Sequence, residues 1–538
     1  MKSTQIAISS SYRLLFHVSV IVILSVGISI IFPMFFRSDD VLLMHWGSRH
    51  NLYQIFNINE ERLGGLYRPI YHYFFSAGYN IFGLKPFGYQ AVGTAIFLLQ
   101  FYLLHYLCRI YFDPSSATAI IIAYCALFYN NFQMAFWFTD ICFSMHIVFA
   151  LLAIIFYLKS KVNLSYLSIS YLFALLGALT KEPSILIVSA FILGDLMIHT
   201  PRNDYTRKLC VLLPYIAIAV WIILISGVMD ARFKYSTDVT TLLDRLDYRF
   251  RYYFNFLLSG TKIVIPIILS ISFAISISKS SLARVIAVLL AAPCYFSQYY
   301  YIIFLFSISG WFVIQQWKLL PFFLWMMLTS LTLPFMTFIT PTYLFEFSFG
   351  FSVLIGYITN NYLIKNINFQ FIANREKKLA ASVVVIVIGA LIAVNPAFNQ
   401  VEALRLVVEN RKNLAEGIDF IERSKDDIDY VVVLDHENFD SPEKLSKWAV
   451  KSNKEKAKSD KVMSSDNITQ YLSLLGINHI TVTSYSNYIK NPVVGPKVVL
   501  LLQNDADIEF SNDKRLTGKE LFSYSHHGTN SLIVSSVR

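Results

Sequence analysis

The chain has 538 residues, of which 55% are hydrophobic and only 15% charged, with a formal net charge of +10. This balance excludes a wholly soluble protein with an ordinary polar surface, so lipid must act as part of the solvent. It also argues against a nucleic-acid binder, because the basic residues before residue 400 fall mostly in short connectors between apolar runs, where they read as topology signals.

In chain order, apolar runs predict spans near residues 14–36, 87–111, 115–138, 141–158, 164–179, 184–199, 209–229, 255–278, 283–297, 299–317, 319–338, 343–363 and 379–396. The fold class expected is an α-helical polytopic membrane protein of about 13 transmembrane helices followed by a small extracytoplasmic α/β domain. The domains divide at 1–398 and 399–538, where charged residues return to soluble frequency. The first run, Leu14 to Phe36, is too long for a signal-peptide core and lacks a small-x-small cleavage site, so it reads as a signal anchor. The five cysteines lie in or beside spans without close pairing, which implies neither disulfides nor structural zinc.

With Lys2 and Arg13 inside, strict alternation puts Arg109, Lys159, Lys161, Arg202, Arg207, Lys208, Lys279, Arg284, Lys318, Arg375, Lys377 and Lys378 on the cytoplasmic side. An odd number of spans then exports the tail. The protein is therefore expected in the cytoplasmic (inner) membrane as a multi-pass chain, with its N-terminus cytoplasmic and its C-terminal domain outside.

The opposite side carries acids. Asp39 and Asp40 leave the first span at headgroup depth, where paired carboxylates can ionise, hold a proton or bind a divalent cation, or simply act as solvated stop signals. The first outer loop, residues 37–86, mixes aromatic and charged residues and suits a helix in the headgroup plane. Within it, Leu66-Tyr67-Arg68-Pro69-Ile70 sets an extended Arg68 near the membrane surface, where a guanidinium suits a phosphate, though it could also snorkel toward headgroups. Lys181 and Glu182 interrupt an apolar stretch before Pro183 and read either as a local ion pair or as site residues. Asp140 is a second candidate acid, with an N-cap as its plainer role.

In order, the motifs are Asp39-Asp40, Tyr67-Arg68-Pro69, Phe82-Gly83-Leu84-Lys85-Pro86, Phe136-Trp137-Phe138-Thr139-Asp140 and Leu179-Thr180-Lys181-Glu182-Pro183. Together they resemble the GT-C superfamily of integral-membrane glycosyltransferases, which includes the protein O-mannosyltransferases and the aminoarabinose transferases of lipid A. The resemblance covers roughly the first 200 residues well and the later spans by count and orientation. It implies a polyprenyl-phosphate-sugar donor, an acceptor that is a lipid-linked glycan, a cell-surface polysaccharide or a protein, and transfer with inversion on the outer membrane face. A first-loop acid would act as general base, with Asp39 leading and Asp40 tuning charge or holding an acceptor group. Arg68 and Lys181 are the candidates for the donor phosphate, and Tyr67, Trp137, Asp140, Glu182 and Glu346 for substrate contact. Glu346 departs from the family, whose members often show a basic or aromatic motif there.

No cofactor is certain. A divalent metal, Mg or Mn, is one option because some relatives need one and others do not; His45, His50 and His72 share the first loop but read better as headgroup contacts. In the tail, residues 400–424 predict an amphipathic helix, and 430–434, 480–483, 498–502 and 532–534 predict short buried strands. Asp435-His436-Glu437 reads as a polar loop at a strand end, and the lysine-rich run 451–461 as a solvated face. The tail is expected to help shape the acceptor site. Two rivals remain: a transporter or flippase of a lipid-linked glycan, disfavoured because the acids crowd one surface and no repeat is visible, and a glycan polymerase or ligase, which would carry its main outer loop late in the chain.

Overall fold

The computed structural model describes residues 19, 21, 23–28, 35–36, 38–58, 66–128, 138, 140–200, 204–225, 264–277, 298–332, 344–364, 414–415, 417–423, 425–433, 465–484, 487, 497–501, 521–524 and 532–536. The spans expected at 283–297 and 379–396, Trp137, the Asp435-His436-Glu437 loop and the lysine-rich run lie outside them.

The described residues of the segment expected to be the first outer loop include three helices. These are α1 (Ser38–Arg49), α2 (Leu52–Phe56) and α3 (Pro69–Phe82). A capping box starts α2, with the Asn51 side chain accepting from the Gln54 backbone N–H and the Gln54 side chain accepting from the Asn51 N–H. Gly83 ends α3 with φ of +57°, a left-handed conformation open to glycine at little cost.

The bundle proper comprises α4 (Pro86–Tyr111), α5 (Pro114–Phe128), α6 (Ile141–Ser160), α7 (Ser165–Thr180), α8 (Pro183–His199), α9 (Tyr205–Ile225), α10 (Val264–Ile277), α11 (Gln298–Gln315), α12 (Leu320–Thr332) and α13 (Leu344–Ile358). Four helices, α3, α4, α5 and α8, open on proline, where the missing N–H costs nothing and the fixed φ favours the first turn. The residues just ahead are Arg68, Lys85, Asp113 and Glu182, so each of these helix starts carries a charge immediately outside it. Among the described residues, three helices are long and apolar enough to cross a membrane: 86–111, 141–160 and 208–225. Shorter apolar helices at 114–124, 165–180, 183–199 and 304–315 accompany them.

Burial separates the centre of the bundle from its rim. In the apolar window of α6, 78% of residues are buried inside the protein, against 11% in α9. Helix α6 therefore runs through the core, whereas α9 turns Leu209, Leu213, Ile216, Val220, Trp221 and Leu224 outward, an apolar surface of the kind that lipid covers. Close approach between helices depends on glycine. A Cβ on Gly194 in α8 would lie 2.6 Å from the Cα of Pro321 at the start of α12, and one on Gly356 in α13 would lie 2.5 Å from the Cα of Ile120 in α5. Small residues at such crossings let backbones meet where no hydrophobic drive operates between helices.

The C-terminal region holds a five-stranded sheet of order β2-β1-β3-β5-β4, with β1 (Tyr430–Val433), β2 (Thr481–Ser484), β3 (Lys497–Leu501), β4 (Leu521–Tyr524) and β5 (Leu532–Ser536). β2, β1 and β3 run parallel, while β5 is antiparallel to both β3 and β4. Strand β4 was not anticipated, because Leu521-Phe522-Ser523-Tyr524 carries only a short alternating signal that an edge position tolerates. Helix α14 (Ser465–Leu474) precedes β2 and packs on α1. There Tyr471 meets Phe35 and Phe36 with ring centroids 5.5 and 6.3 Å apart. The C-terminal region thus touches the helix that bears Asp39 and Asp40.

Candidate active site

The expected acids and cations come from five places in the chain and meet at one end of the bundle. Asp39 and Asp40 sit in the first turn of α1, where a helix N-terminus favours negative charge. Their environments differ: Asp39 is exposed and Asp40 is fully buried. Arg68 precedes α3, Asp140 precedes α6, Lys181 and Glu182 form the break between α7 and α8, and Glu346 lies in the first turn of α13.

Two buried groups show that these residues form one cluster. Tyr71, on α3, lies within electrostatic reach of Asp39, Asp40, Asp140 and Cys142; burial and those carboxylates together push its hydroxyl well above the ordinary tyrosine value. Cys142, on α6, lies within reach of Lys181, Arg68, Asp140 and Glu182. Asp140 and Cys142 therefore join the acidic half of the site to its cationic half.

Long-range ion pairs hold the cationic half. Arg68 donates to both oxygens of Glu182, Nε to Oε1 at 3.0 Å and Nη2 to Oε2 at 2.9 Å, across 114 residues of sequence. This fork-on-fork pairing fixes the guanidinium plane. Lys181 Nζ donates to Glu346 Oε1 at 2.8 Å, across 165 residues, with 1% of each side chain exposed. The ammonium also rests on the Phe143 ring, 3.2 Å from its centroid. Lys181 and Glu182 are adjacent, yet each reaches a partner on a distant element, so the break between α7 and α8 ties together α3, α6 and α13.

The plainer role expected of Asp140 is not met: it occupies the N-cap position of α6 with no side-chain cap hydrogen bond, and only 6% of it is exposed. Tyr67 is buried and donates its hydroxyl to the Phe56 carbonyl at 2.8 Å, tying the entry of α3 to the end of α2. His72 is not a headgroup contact. It is buried with its ring 4.8 Å from that of Trp46, and burial first, then Arg68 and His50, push it down to about 3. His50 stacks on Trp46 with centroids 3.9 Å apart. Among the described residues, no three His, Cys, Asp or Glu side chains converge as a metal site would require.

Sequence reasoning missed His146. It is fully buried on α6, with Nε2 3.2 Å from Glu346 Oε1 and Nδ1 2.9 Å from the Cys142 carbonyl. An ionisable residue inside an otherwise apolar span was the available signal.

At the other end of the bundle, buried Asp195 of α8 accepts from the Tyr157 hydroxyl at 2.8 Å and from Lys161 Nζ at 2.7 Å, and also from the Tyr111 hydroxyl. It joins the far ends of α4, α6 and α8 through an ion pair and two tyrosine hydroxyls on a single carboxylate.

Residues 68–229 match the family model described as dolichyl-phosphate-mannose-protein mannosyltransferase. The match opens on Arg68 and contains Asp140, Lys181 and Glu182, while Asp39, Asp40 and Glu346 fall outside it. Among solved structures, ArnT from Cupriavidus metallidurans bound to undecaprenyl phosphate is 12% identical, with 98% of each chain covered and a TM-score of 0.42. Its apo state is 10% identical, with the same coverage and a TM-score of 0.44. The archaeal oligosaccharyltransferase AglB from Archaeoglobus fulgidus, in complex with an inhibitory peptide and a dolichol-phosphate, is 12% identical, covers 98% of this chain and 74% of its own, and has a TM-score of 0.40. No curated protein matches. The family match bears out the resemblance of this chain to the GT-C glycosyltransferases.

Proposed function

We propose that this protein transfers a sugar from a polyprenyl-phosphate donor to an acceptor on the outer face of the cytoplasmic membrane, as a GT-C glycosyltransferase with residues 1–398 as its catalytic domain and 399–538 as an extracytoplasmic domain. The observation that carries the reading is the grouping of Asp39, Asp40 and Asp140 with Arg68 around Tyr71 and Cys142 at one end of a lipid-facing bundle. About thirteen spans, an inside N-terminus and an outside tail complete the proposal.

In this mechanism the acceptor hydroxyl attacks the anomeric carbon as its proton passes to Asp39, whose exposure leaves it open to an incoming acceptor. The bond from the anomeric carbon to the phosphate oxygen breaks on the opposite face, so the centre inverts, and the electron pair leaves with the lipid phosphate. Asp40, buried one residue on, places a second carboxylate beside Asp39 and near Tyr71. Arg68 meets the phosphate by exchanging one fork of its Glu182 pairing for phosphate oxygens. Lys181 is too deeply buried to reach far outward, and it acts on the phosphate through its field. Tyr67, Trp137, Asp140, Glu182 and Glu346 frame the substrates directly or by holding these groups.

The test is transfer of label from a panel of radiolabelled polyprenyl-phosphate sugars by purified protein in membranes from its own host. One sugar should move with the native chain, and Asp39→Asn should slow it by about 10²-fold or more while insertion stays intact. Transfer that survives Asp39→Asn overturns the general-base assignment. If no sugar moves with folded protein, the enzyme reading fails.

A further inference from the structure

A chain of aromatic rings leads from the C-terminal region to the aspartates of the site. Tyr471 of α14 is buried, and its ring centroid lies 5.5 Å from that of Phe35 and 6.3 Å from that of Phe36. Phe36 is the hub. It is fully buried and, besides Tyr471, meets Tyr89 of α4 edge-on at 5.4 Å and Phe138 edge-on at 5.5 Å. Tyr89 and Phe138 also meet, with centroids 6.1 Å apart, so the three rings close on one another. From Tyr89 the chain runs through Phe75 at 6.2 Å to Tyr71, whose ring is 5.4 Å from that of Phe75 and which lies within electrostatic reach of Asp39, Asp40 and Asp140. Helix α14 packs on β2 as well as on α1, so the sheet bears on this hub through a helix.

The places of these rings in the chain give the contact its consequence. Phe36 stands three residues before Asp39, and Phe138 two residues before Asp140. A close-packed group of rings has no void to absorb a shift, so a displacement of one is passed to the next. Whatever holds Phe36 against Phe138 therefore sets the separation between the start of α1 and the start of α6, and Tyr471 closes the group from the side of the C-terminal region.

We propose that Tyr471 is a positioning residue for the transfer reaction: by holding Phe36 it fixes Asp39 and Asp40 relative to Asp140, and the C-terminal region completes the site without Tyr471 touching substrate. The inference rests on the glycosyltransferase reading above, with Asp39 as base. Proton transfer needs the carboxylate within hydrogen-bond reach of the acceptor hydroxyl, and a misplacement of about 1 Å can cost about 10²-fold in rate. Loss of Tyr471 therefore slows turnover. The hold on the donor, supplied by Arg68 and Lys181 from α3 and the α7–α8 break, stays as it is.

The experiment follows transfer of label to host membranes from the radiolabelled polyprenyl-phosphate sugar that the native full chain uses, varying first the donor and then the amount of membrane. The set comprises the native protein, Tyr471→Phe, Tyr471→Leu, Phe36→Leu and the variant carrying both leucines, with rates taken per folded protein from thermal unfolding in detergent. Tyr471→Leu should lower kcat about tenfold, with the half-saturating donor and membrane within about twofold of native. Tyr471→Phe keeps the ring and should stay within about twofold of native throughout. Because Tyr471 acts through Phe36, the double variant should turn over within about twofold of Phe36→Leu alone, where independent effects would multiply.

A native kcat for Tyr471→Leu, a loss in Tyr471→Phe as large as in Tyr471→Leu, or leucine effects that multiply would each overturn the inference. So would an unchanged kcat with several-fold more membrane needed, the mark of a tail that binds acceptor instead. Should Tyr471→Leu fail to fold, Phe35→Leu removes the other ring that seats Tyr471: kcat about threefold below native at unchanged half-saturation upholds the inference, and native kcat sinks it. A folded native chain that moves no sugar overturns the enzyme reading, and this inference with it.

Discussion

At the residue scale, the site rests on the contrast between neighbours of like type. Asp39 and Asp40 are adjacent acids, but one is exposed and the other buried, and only the exposed one is open to a proton-transfer partner. Lys181 and Glu182 are adjacent opposite charges, and each has a partner more than a hundred residues away. The Arg68–Glu182 fork makes a specific expectation. Arg68→Ala should weaken binding of a polyprenyl phosphate by about tenfold or more, whereas Arg68→Lys, which keeps the charge but loses the fork, should recover only part of it. Equal affinity for native and Arg68→Ala in a direct binding assay would remove Arg68 from the phosphate site. His72 makes a second. Its buried ring titrates at about 3 when folded, against an ordinary value near 6.5, so the unfolded chain takes up the proton first as pH falls. The stability that neutral His72 supplies is complete above about pH 6.5 and declines below it by at most about 1.4 kcal/mol per pH unit, down to about pH 3. Thermal unfolding in detergent at pH 7, 5.5 and 4 should show a shallower acid loss for His72→Phe than for the native chain.

At the element scale, the helices were largely legible because each boundary has a local cause. Proline at the starts of α3, α4, α5 and α8, the glycine end of α3 and the apolar lengths of α4 through α9 can all be read without knowing any contact. What the helices do to one another was not legible. Gly194 and Gly356 look like ordinary small residues in apolar runs, yet each marks a crossing where a single added carbon would collide with a neighbouring backbone. Asp195 likewise reads as a stray charge until Tyr111, Tyr157 and Lys161 are seen around it. Replacing it with leucine leaves the hydroxyls of buried Tyr157 and half-buried Tyr111 and the Lys161 cation without their common acceptor, and should cost about 3 kcal/mol. A lowered unfolding temperature with transfer retained in the cold would place Asp195 in the scaffold, away from the chemistry.

At the scale of the whole molecule, the proposed topology predicts that alkaline phosphatase fused after residue 538 is active in cells, while a green fluorescent protein fused there stays dark. The opposite pair of results would invert the orientation and move the acid cluster to the cytoplasmic side. The contact of α14 with α1 adds a reason for the tail to matter, since Tyr471 packs on Phe35 and Phe36 just ahead of the aspartates. Composition and hydropathy by themselves determined that a chain this apolar calls for lipid and where most of the described helices begin and end, because these are local or summed properties of the chain. Which acid is open and which is buried, which charge faces which, and that His146 joins Lys181 and Glu346 were decided only by the packing of α1, α3, α6, α8 and α13, because electrostatic pairing depends on distances in space that sequence separations of 114 and 165 residues leave unspecified.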